Sequence, residues 1–309
     1  MQYTQYTVLV TGATGFIGQR VVSHLLQQGH TVRALVRPQK IPEKRLPSTC
    51  RQDPVELLDE AGISVIIAEC DAVIYCAGSV RGRRPADFRT ANVDGIRAVL
   101  NALEQTPHAP PLLLISSLAA SRPELSDYAN SKYAGEQLLL ESTQLPWTII
   151  RPPAVYGSDD KEMLALLKMA RRGLLVHVGP RDQRLSLIQV DDLAKAVNAW
   201  LGAWEQCLHQ TYAIDDGRAG GYDWQSIGEA VSAGKYRFLK LPLLLMNIVA
   251  KMNLLMSLVL GYAPMLTPGK VRELIQPEWL CDNRQFTAET GWKPTTDLNR
   301  GAQQLFFDG

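Results

Sequence analysis

The sequence predicts an α/β fold, a doubly wound parallel sheet followed by a smaller, mostly helical C-terminal lobe. Three observations predict it. Short continuous apolar runs alternate with helically spaced stretches through the first half. A glycine-rich turn follows the first run at once. After Arg151 the alternation stops at Pro152-Pro153. Apolar runs of four to six residues suit strands covered on both faces, and strand–helix alternation is what a parallel sheet with crossover helices requires. The chain has 309 residues, enough for two domains or for one domain with a large lobe. Lys plus Arg is 32 and Asp plus Glu is 31, so whole-molecule attraction to nucleic acid is not expected.

The elements follow in order. Thr7–Val10 reads as the first strand, Gly15–Gln28 as an amphipathic helix and Thr31–Val36 as the second strand. Ala72–Ala77 and Leu112–Ser116 are buried strands, with helical spacing over Ala91–Glu104 between them. Tyr128–Glu141 is a helix, and Trp147–Arg151 the strand after it. Pro47–Glu69 holds no securely placed third strand. Beyond Arg151, Met163–Arg172 reads as a short helix and Leu185–Val190 as a strand. Asp191–Trp204 reads as a helix with Asp191 suited to cap it, and Thr211–Ile214 as a strand returning to the first sheet. Leu241–Leu260 is long enough to span a bilayer. Asn247, Lys251, Asn253 and Ser257 give it a polar side of roughly 160°. A lysine near the centre argues against a span, which favours a helix packed into the lobe over a membrane-surface or lipid-substrate helix.

Thr11-Gly12-Ala13-Thr14-Gly15-Phe16-Ile17-Gly18 lies between a predicted strand and a predicted helix. Gly12 allows the tight turn, Gly15 lets backbone approach a pyrophosphate, and Gly18 lets helix and sheet pack closely. The helix N-terminus then offers free N–H groups to phosphates. The second strand ends Leu35-Val36-Arg37 with no Asp or Glu, and Lys40, Lys44 and Arg45 follow. An acidic residue there would bond a ribose 2′-hydroxyl, whereas an arginine fork suits a 2′-phosphate, so NADP(H) is expected over NAD through Arg37.

Tyr128 and Lys132 stand four apart on a predicted helix, hence on one face. An ammonium beside a phenol favours the phenolate and readies it for proton transfer. Chance alone yields about 0.4 such pairs in a chain of this composition, and a second, Tyr236–Lys240, is read as structural. Tyr128 follows the strand ending Ile115-Ser116-Ser117, which sets it at the carboxyl edge of the sheet, where open α/β sheets bind ligands. Ser117 is the first candidate to polarise a substrate carbonyl, with Ser116 and Ser121 as alternatives.

These residues resemble the extended short-chain dehydrogenase/reductase family, the group of NAD-dependent epimerases and dehydratases. The resemblance implies a Rossmann domain and a Ser–Tyr–Lys triad of Ser117, Tyr128 and Lys132, with Lys132 also on the nicotinamide ribose. Ala77-Gly78 matches the small pair beside the cofactor, and Asn92 the asparagine behind the active site. Arg151-Pro152-Pro153-Ala154-Val155-Tyr156-Gly157 matches the segment by the nicotinamide, which assigns Pro153 to the cofactor. Asp53 stands where the family contacts adenine. The string VRALVRP is similar to NADP-using reductases such as the dihydroflavonol and cinnamoyl reductases, in which the arginine matching Arg37 meets the phosphate. Expected boundaries are 1–155 for the NAD(P)-binding domain, with 187–215 returning to it, and 156–186 plus 216–309 for the substrate lobe.

Departures from the family narrow the reaction. Ser117 is followed by Leu118-Ala119-Ala120, without the acidic residues of sugar dehydratases. Tyr128 comes only eleven residues after Ser117, a shorter loop than many nucleotide-sugar members have. Arg81, Arg83 and Arg84 could grip an anionic group or merely face solvent. The first reading is an NADP-dependent reductase or dehydrogenase of a small, apolar substrate, to which a resemblance to the steroid-dehydrogenase branch also points. The alternatives are a nucleotide-sugar epimerase with bound NAD and a non-enzymatic nucleotide-binding scaffold. Five scattered cysteines without CxxC, and histidines without HxH or HExxH, exclude a disulfide framework and any expected metal site. No signal peptide fits before the glycine turn, so a cytoplasmic, reducing location is expected. The resemblance also implies a homodimer through helices Ala91–Glu104 and Tyr128–Glu141.

Overall fold

The computed structural model describes residues 4–38, 46–160, 162–232 and 234–306. Its centre is a parallel sheet of seven strands: β1 (Thr7–Thr11), β2 (Thr31–Val36), β3 (Arg51–Pro54), β4 (Ala72–Tyr75), β5 (Leu112–Ile115), β6 (Trp147–Arg151) and β11 (Gln210–Ala213). They stand in the order β11-β6-β5-β4-β1-β2-β3. The order reverses direction between β1 and β4, and there the crossovers part and leave a crevice outside the strand ends. This is the predicted doubly wound α/β sheet, with a helical C-terminal portion.

Side chains alternate across the sheet and so build two cores. Val8, Val10, Ile74 and Leu113 face α1 (Phe16–Gln27) and α7 (Val190–Leu201), whose Val21, Leu25, Val197 and Trp200 are fully buried. Leu9, Val73, Tyr75 and Leu114 face the other way, onto α2 (Glu60–Ile67), α4 (Gly95–Glu104) and α5 (Asp127–Glu141). Strands buried on both faces explain why the runs read as continuously apolar.

The lobe is made of short pieces. Between α2 and α4 lies α3 (Pro85–Arg89), and after β6 come β7 (Ala154–Tyr156), α6 (Met163–Arg171), β8 (Leu174–His177), β9 (Arg184–Leu185) and β10 (Leu187–Gln189). After β11 come α8 (Trp224–Val231), β12 (Arg237–Lys240), α9 (Leu243–Leu260), α10 (Pro268–Leu274), β13 (Glu278–Trp279), α11 (Arg284–Thr290) and α12 (Leu298–Phe306). Three two-stranded parallel ribbons, β7–β10, β8–β12 and β9–β13, tie these segments together. A third apolar core gathers Tyr156, Leu167, Leu187, Tyr222 and Leu298.

The structure corrects several expectations. The single strand expected at Leu185–Val190 is two short ones, interrupted at Ser186, whose hydroxyl donates to Asp215 at 2.5 Å. The cap of α7 is Gln189, not Asp191. Its side-chain oxygen accepts from the backbone N–H of Asp191 and Asp192, which leaves both carboxylates in the first turn, at the positive end of the helix dipole. The helix expected from Ala91 opens with a π turn, Thr90–Asp94. The Tyr236–Lys240 pair lies on and beside β12 rather than on a helix.

The largest revision is α9. A helix packed into the lobe would be buried, yet only Ala250 and Ser257 are buried along its 18 residues. Part of the polar side turns inward, while Lys251 stays exposed. Ser257 is fully buried, and Asn253 donates to the Leu266 carbonyl at 2.8 Å. The large apolar residues point away from the protein, Val259 at 85% and Leu244 at 74% exposure. Small and polar residues let the helix lie close on its neighbours, so they take the inner side.

β3 is an edge strand held by charge. Arg33 of β2 is buried and makes two hydrogen bonds to the Asp53 carboxylate, at 2.9 and 2.8 Å, and one to Glu69 at 2.5 Å. Asp53, the residue that the resemblance places at the adenine, is held in position by Arg33. Arg33→Met would leave a largely buried carboxylate with only the exposed Arg51, 3.4 Å away. Losing one partner of such a pair costs about 3 kcal/mol, and calorimetry should show a Tm about 6 °C lower. An unchanged Tm would mean that Arg51 alone holds β3.

Candidate active site

The crevice between β1 and β4 begins with a backbone-to-backbone contact. Gly12 has φ +63°, and a Cβ there would stand 2.5 Å from the Ala77 nitrogen. Across the same crevice the Ala77 N–H donates to Thr11 Oγ1 at 3.2 Å. A Cβ on Gly18 would stand 2.2 Å from the Gly12 oxygen, so α1 can start this close to the sheet only with glycine. Gly15 differs. A Cβ on it would meet only the Gly12 oxygen, at 3.2 Å, and otherwise project into open space. Thr14, Gly15, Phe16, Ile17 and Gly18 line a cavity of about 1400 Å³ that continues into the lobe. Open room over Gly15, at the first free N–H groups of α1, is what a pyrophosphate needs. The residues present therefore fit a dinucleotide.

The far wall of the cavity carries Ser117, Tyr128 and Lys132, with Gly78 and Pro153 beside them. Ser117 follows β5 and caps a short 3-10 turn, its Oγ accepting from Ala119 N–H at 3.2 Å. Ser117 and the Tyr128 phenol both line the cavity, and Ser117 acts to lower the phenol's pKa. The alternatives are spent elsewhere. Ser116 is buried and donates to Glu136 at 2.5 Å, and Glu136 in turn binds Arg151. Ser121 donates to the Leu118 carbonyl at 2.7 Å.

Lys132 is buried, and its Nζ donates to the Ile115 carbonyl at 3.2 Å. Burial lowers its pKa to about 8, with Cys76 and Glu136 opposing the shift. The π turn sets Asn92 beneath Gly78, where a Cβ would meet Asn92 Oδ1 and Lys132 Nζ, each at 3.1 Å. Asn92 Nδ2 donates to the Ser79 carbonyl and to Ser131 Oγ, both at 2.9 Å. Gly78, Asn92 and Lys132 thus form one close-packed floor.

Burial pushes the Tyr128 pKa up, and Ser117 draws it partly back. Lys270 of α10, which the sequence did not point to, also favours the phenolate. α10 is fastened beside Tyr128. Lys270 pairs with Glu273 at 3.0 Å, Glu273 accepts from Ser126, the N-cap of α5, and Arg272 donates to the Leu125 carbonyl at 2.7 Å. Lys270 and Glu273 lie some 140 residues beyond Tyr128. Thr267-Pro268-Gly269 marks a helix start, but nothing local reveals what that helix touches.

Other expected residues lie apart from the cavity wall. Arg37 is exposed just beyond the end of β2 and does not line the cavity. Lys40, Lys44 and Arg45 fall outside the described residues. Gly12 and Ala77 act from behind the lining. Of the three loop arginines, Arg81 and Arg83 reach the cavity and Arg84 does not. Arg81 is engaged by Glu162 at 3.1 Å and Arg83 by Asp87 at 3.6 Å. The lobe side of the cavity is largely apolar, with Phe88, Met163, Leu166, Leu254 and Leu266, and carries charge at Glu162, Lys270 and Glu273.

The glycines make separable predictions. Gly15→Ala should fold with a smaller loss of Tm than Gly12→Ala, because its methyl meets only the Gly12 oxygen, at 3.2 Å, yet lose most of the thermal shift given by a nicotinamide dinucleotide. Gly12→Ala meets backbone at positive φ and should lose several degrees of Tm without any ligand. Equal dinucleotide shifts for Gly15→Ala and the parent would put the cradle elsewhere.

The model of the NAD dependent epimerase/dehydratase family matches residues 8–214. A curated relative, "Ceramide reductase" of Caulobacter vibrioides, is 31% identical over 309 residues and covers 96% of each chain. Among solved structures, UDP-glucose 4-epimerase of Thermotoga maritima with UDP-glucose superposes with a TM-score of 0.71. It is 18% identical and covers 98% of this chain and 99% of that one. UDP-glucose 4-epimerase of Thermus thermophilus with NAD gives 0.70 at 21% identity, covering 96% of each. At those identities the two structures speak to the fold alone. With the family model across the whole sheet and a relative matched end to end, the chain belongs to the NAD-dependent epimerase/dehydratase family.

Proposed function

We propose that the protein is an NADP(H)-dependent reductase that converts a carbonyl of an apolar, lipid-like substrate to an alcohol. The observation that carries the proposal is the meeting of Ser117, Tyr128 and Lys132 on one wall of the cavity that joins an open glycine cradle to the lobe. The glycine loop, Ala77, Gly78, Lys132 and Pro153 would hold the cofactor. Bound there, reduced nicotinamide supplies the hydride.

The chain's own residues supply the rest. Tyr128, its pKa raised by burial, keeps its proton at neutral pH and donates it to the substrate oxygen as that oxygen gains charge. Ser117 hydrogen-bonds the same oxygen and polarises the carbonyl. Lys132 holds a positive charge under the site until the pH passes about 8. The relative named for ceramide and the apolar lobe wall support a lipid-like substrate over a nucleotide sugar. The arginines at the cavity also support it, because Arg81 and Arg83 already have carboxylates and offer a diphosphate less.

Arg37 supports the choice of NADP(H), since it stands at the end of β2, next to the strand that leads into the glycine loop. A ligand at a hundred times its Kd adds about 2.7 kcal/mol of stability. NADPH should raise the Tm more than NADH at equal concentration, and Arg37→Ser should abolish the difference. A larger shift with NADH would overturn the assignment.

Catalysis is tested by NADPH oxidation with a long-chain ketone and its short-chain homologue. Tyr128→Phe should lower kcat by about a hundredfold to ten-thousandfold while keeping the NADPH-induced thermal shift. The pH dependence follows from the shifts. The Tyr128 phenol stays protonated beyond neutral pH, whereas Lys132 loses its charge on rising through about 8. Reduction should therefore fall above about pH 8, and Lys132→Met should show a low rate without that limb. Full activity of Tyr128→Phe would sink the mechanism.

A further inference from the structure

We propose that α9 lies along an anionic phospholipid bilayer, its outer face at the boundary of headgroups and acyl chains, so that the cavity takes its substrate from the membrane. The second half of the proposal rests on the reductase reading above. The first half stands on the surface alone.

The outer face of α9 is a continuous apolar strip of Leu244, Ile248, Met252, Leu255, Val259 and Leu260, each between 47% and 85% exposed. The helix has a mean hydropathy of 2.0. A soluble surface rarely leaves so large an apolar patch to water. The occupant is indicated by charge. Between Glu229 and Glu273 the chain carries Lys235, Arg237, Lys240, Lys251, Lys270 and Arg272 and no acidic residue. Lys235, Arg237 and Lys240 are exposed immediately before α9, and none is in an ion pair among the described residues. Lys251 is exposed at the edge of the strip, where its stem can run along lipid while the ammonium reaches the headgroups. An apolar strip whose flanking stretches of chain carry cations and no acid suits the interfacial plane of an anionic leaflet.

A second copy of the chain fits less well, because two copies paired through this face would bring their cationic borders together. A span is disfavoured by the inner side, where Ala250 and Ser257 are fully buried and Asn253 is bonded to the following loop.

The cavity adjoins this face. Leu254, on the inner side of α9, lines it, as do Pro264, Met265 and Leu266 of the next loop. Met265 is also 44% exposed. One short segment therefore borders both the proposed bilayer and the site.

Flotation of the full-length protein with vesicles tests the docking. Vesicles of phosphatidylcholine with about one third phosphatidylglycerol should carry the protein, and pure phosphatidylcholine should carry at least several-fold less. Leu244→Ser/Leu255→Ser/Val259→Ser should lose binding at least tenfold. Arg237→Ser/Lys240→Ser should lose the preference for anionic lipid. Both variants should keep the parent's rate on the short-chain ketone and lose rate on the long-chain ketone presented in vesicles. Three results would overturn the proposal: variants that float like the parent, a lipid-free dimer that the serine substitutions split, or a parent that leaves membranes only with detergent. Failure of the reductase reading would look different, with NADPH left unoxidised by either ketone while flotation is unchanged.

Discussion

The site depends on one steric constraint, the passage of the Gly12 backbone directly over that of Ala77. The contact joins the end of β1 to the end of β4 across the point where the sheet reverses its winding. With the loop held there, α1 must start within reach of the Gly12 carbonyl, which only Gly18 permits. Gly15 is then the loop glycine whose Cβ would meet least, a single contact with the Gly12 oxygen. The three glycines thus do different work, two closing the protein on itself and one keeping a surface open. Side-chain chemistry takes no part in this, so the cradle follows from backbone geometry that the parallel sheet supplies.

The opposite wall is governed by desolvation. Lys132 is buried among Cys76, Glu136 and the Ile115 carbonyl, and its protonated form is held at a cost. Because its folded pKa lies below the unfolded one, this cost is largest below about pH 8 and fades as the pH rises toward the ordinary lysine value. The site keeps a destabilising charge at neutral pH. Such a charge is worth keeping where a reaction develops negative charge nearby, which ties the burial of Lys132 to the proposed chemistry rather than to stability. Tyr128 is pushed the opposite way by the same burial, toward its neutral form. One dry pocket therefore leaves a proton donor and a cation with a readily lost charge close together.

Much of this was legible in the sequence. β1, β2, β6 and the glycine turn are marked by continuous apolar runs and by residues that permit only one backbone path. Ser117 could be preferred but not separated from Ser116 until Glu136 was seen to occupy the latter. β3 was illegible because Arg51-Gln52-Asp53-Pro54 has no apolar pattern, its place being set by Arg33 across the sheet. Gln189 was missed as a cap since glutamine is an uncommon one. Lys270 and Glu273 carry no local signal, because their meaning comes from the packing of α10 on Ser126, far away in the chain. α9 misled for a related reason. Its small and polar residues read as a wet face, but in a helix with this much leucine they are also the residues that fit closest to a neighbour.

The two halves of the molecule differ in what can vary. Across the sheet, a change of one methyl group at Gly12 or Gly18 meets backbone. Across the lobe, the cavity wall is made of side chains whose charges are answered locally, as Glu162 answers Arg81 and Asp87 answers Arg83. A fold shared with enzymes solved with UDP-glucose can therefore serve another class of substrate without altering the cradle. An anionic nucleotide is met best by unpaired cations, and here Arg81 and Arg83 already face carboxylates. What remains attractive is apolar surface, inside the cavity and on the outer side of α9. Having both within one short stretch of chain is what joins the two proposals, since an apolar molecule leaving a bilayer at α9 would meet the cavity that holds Tyr128.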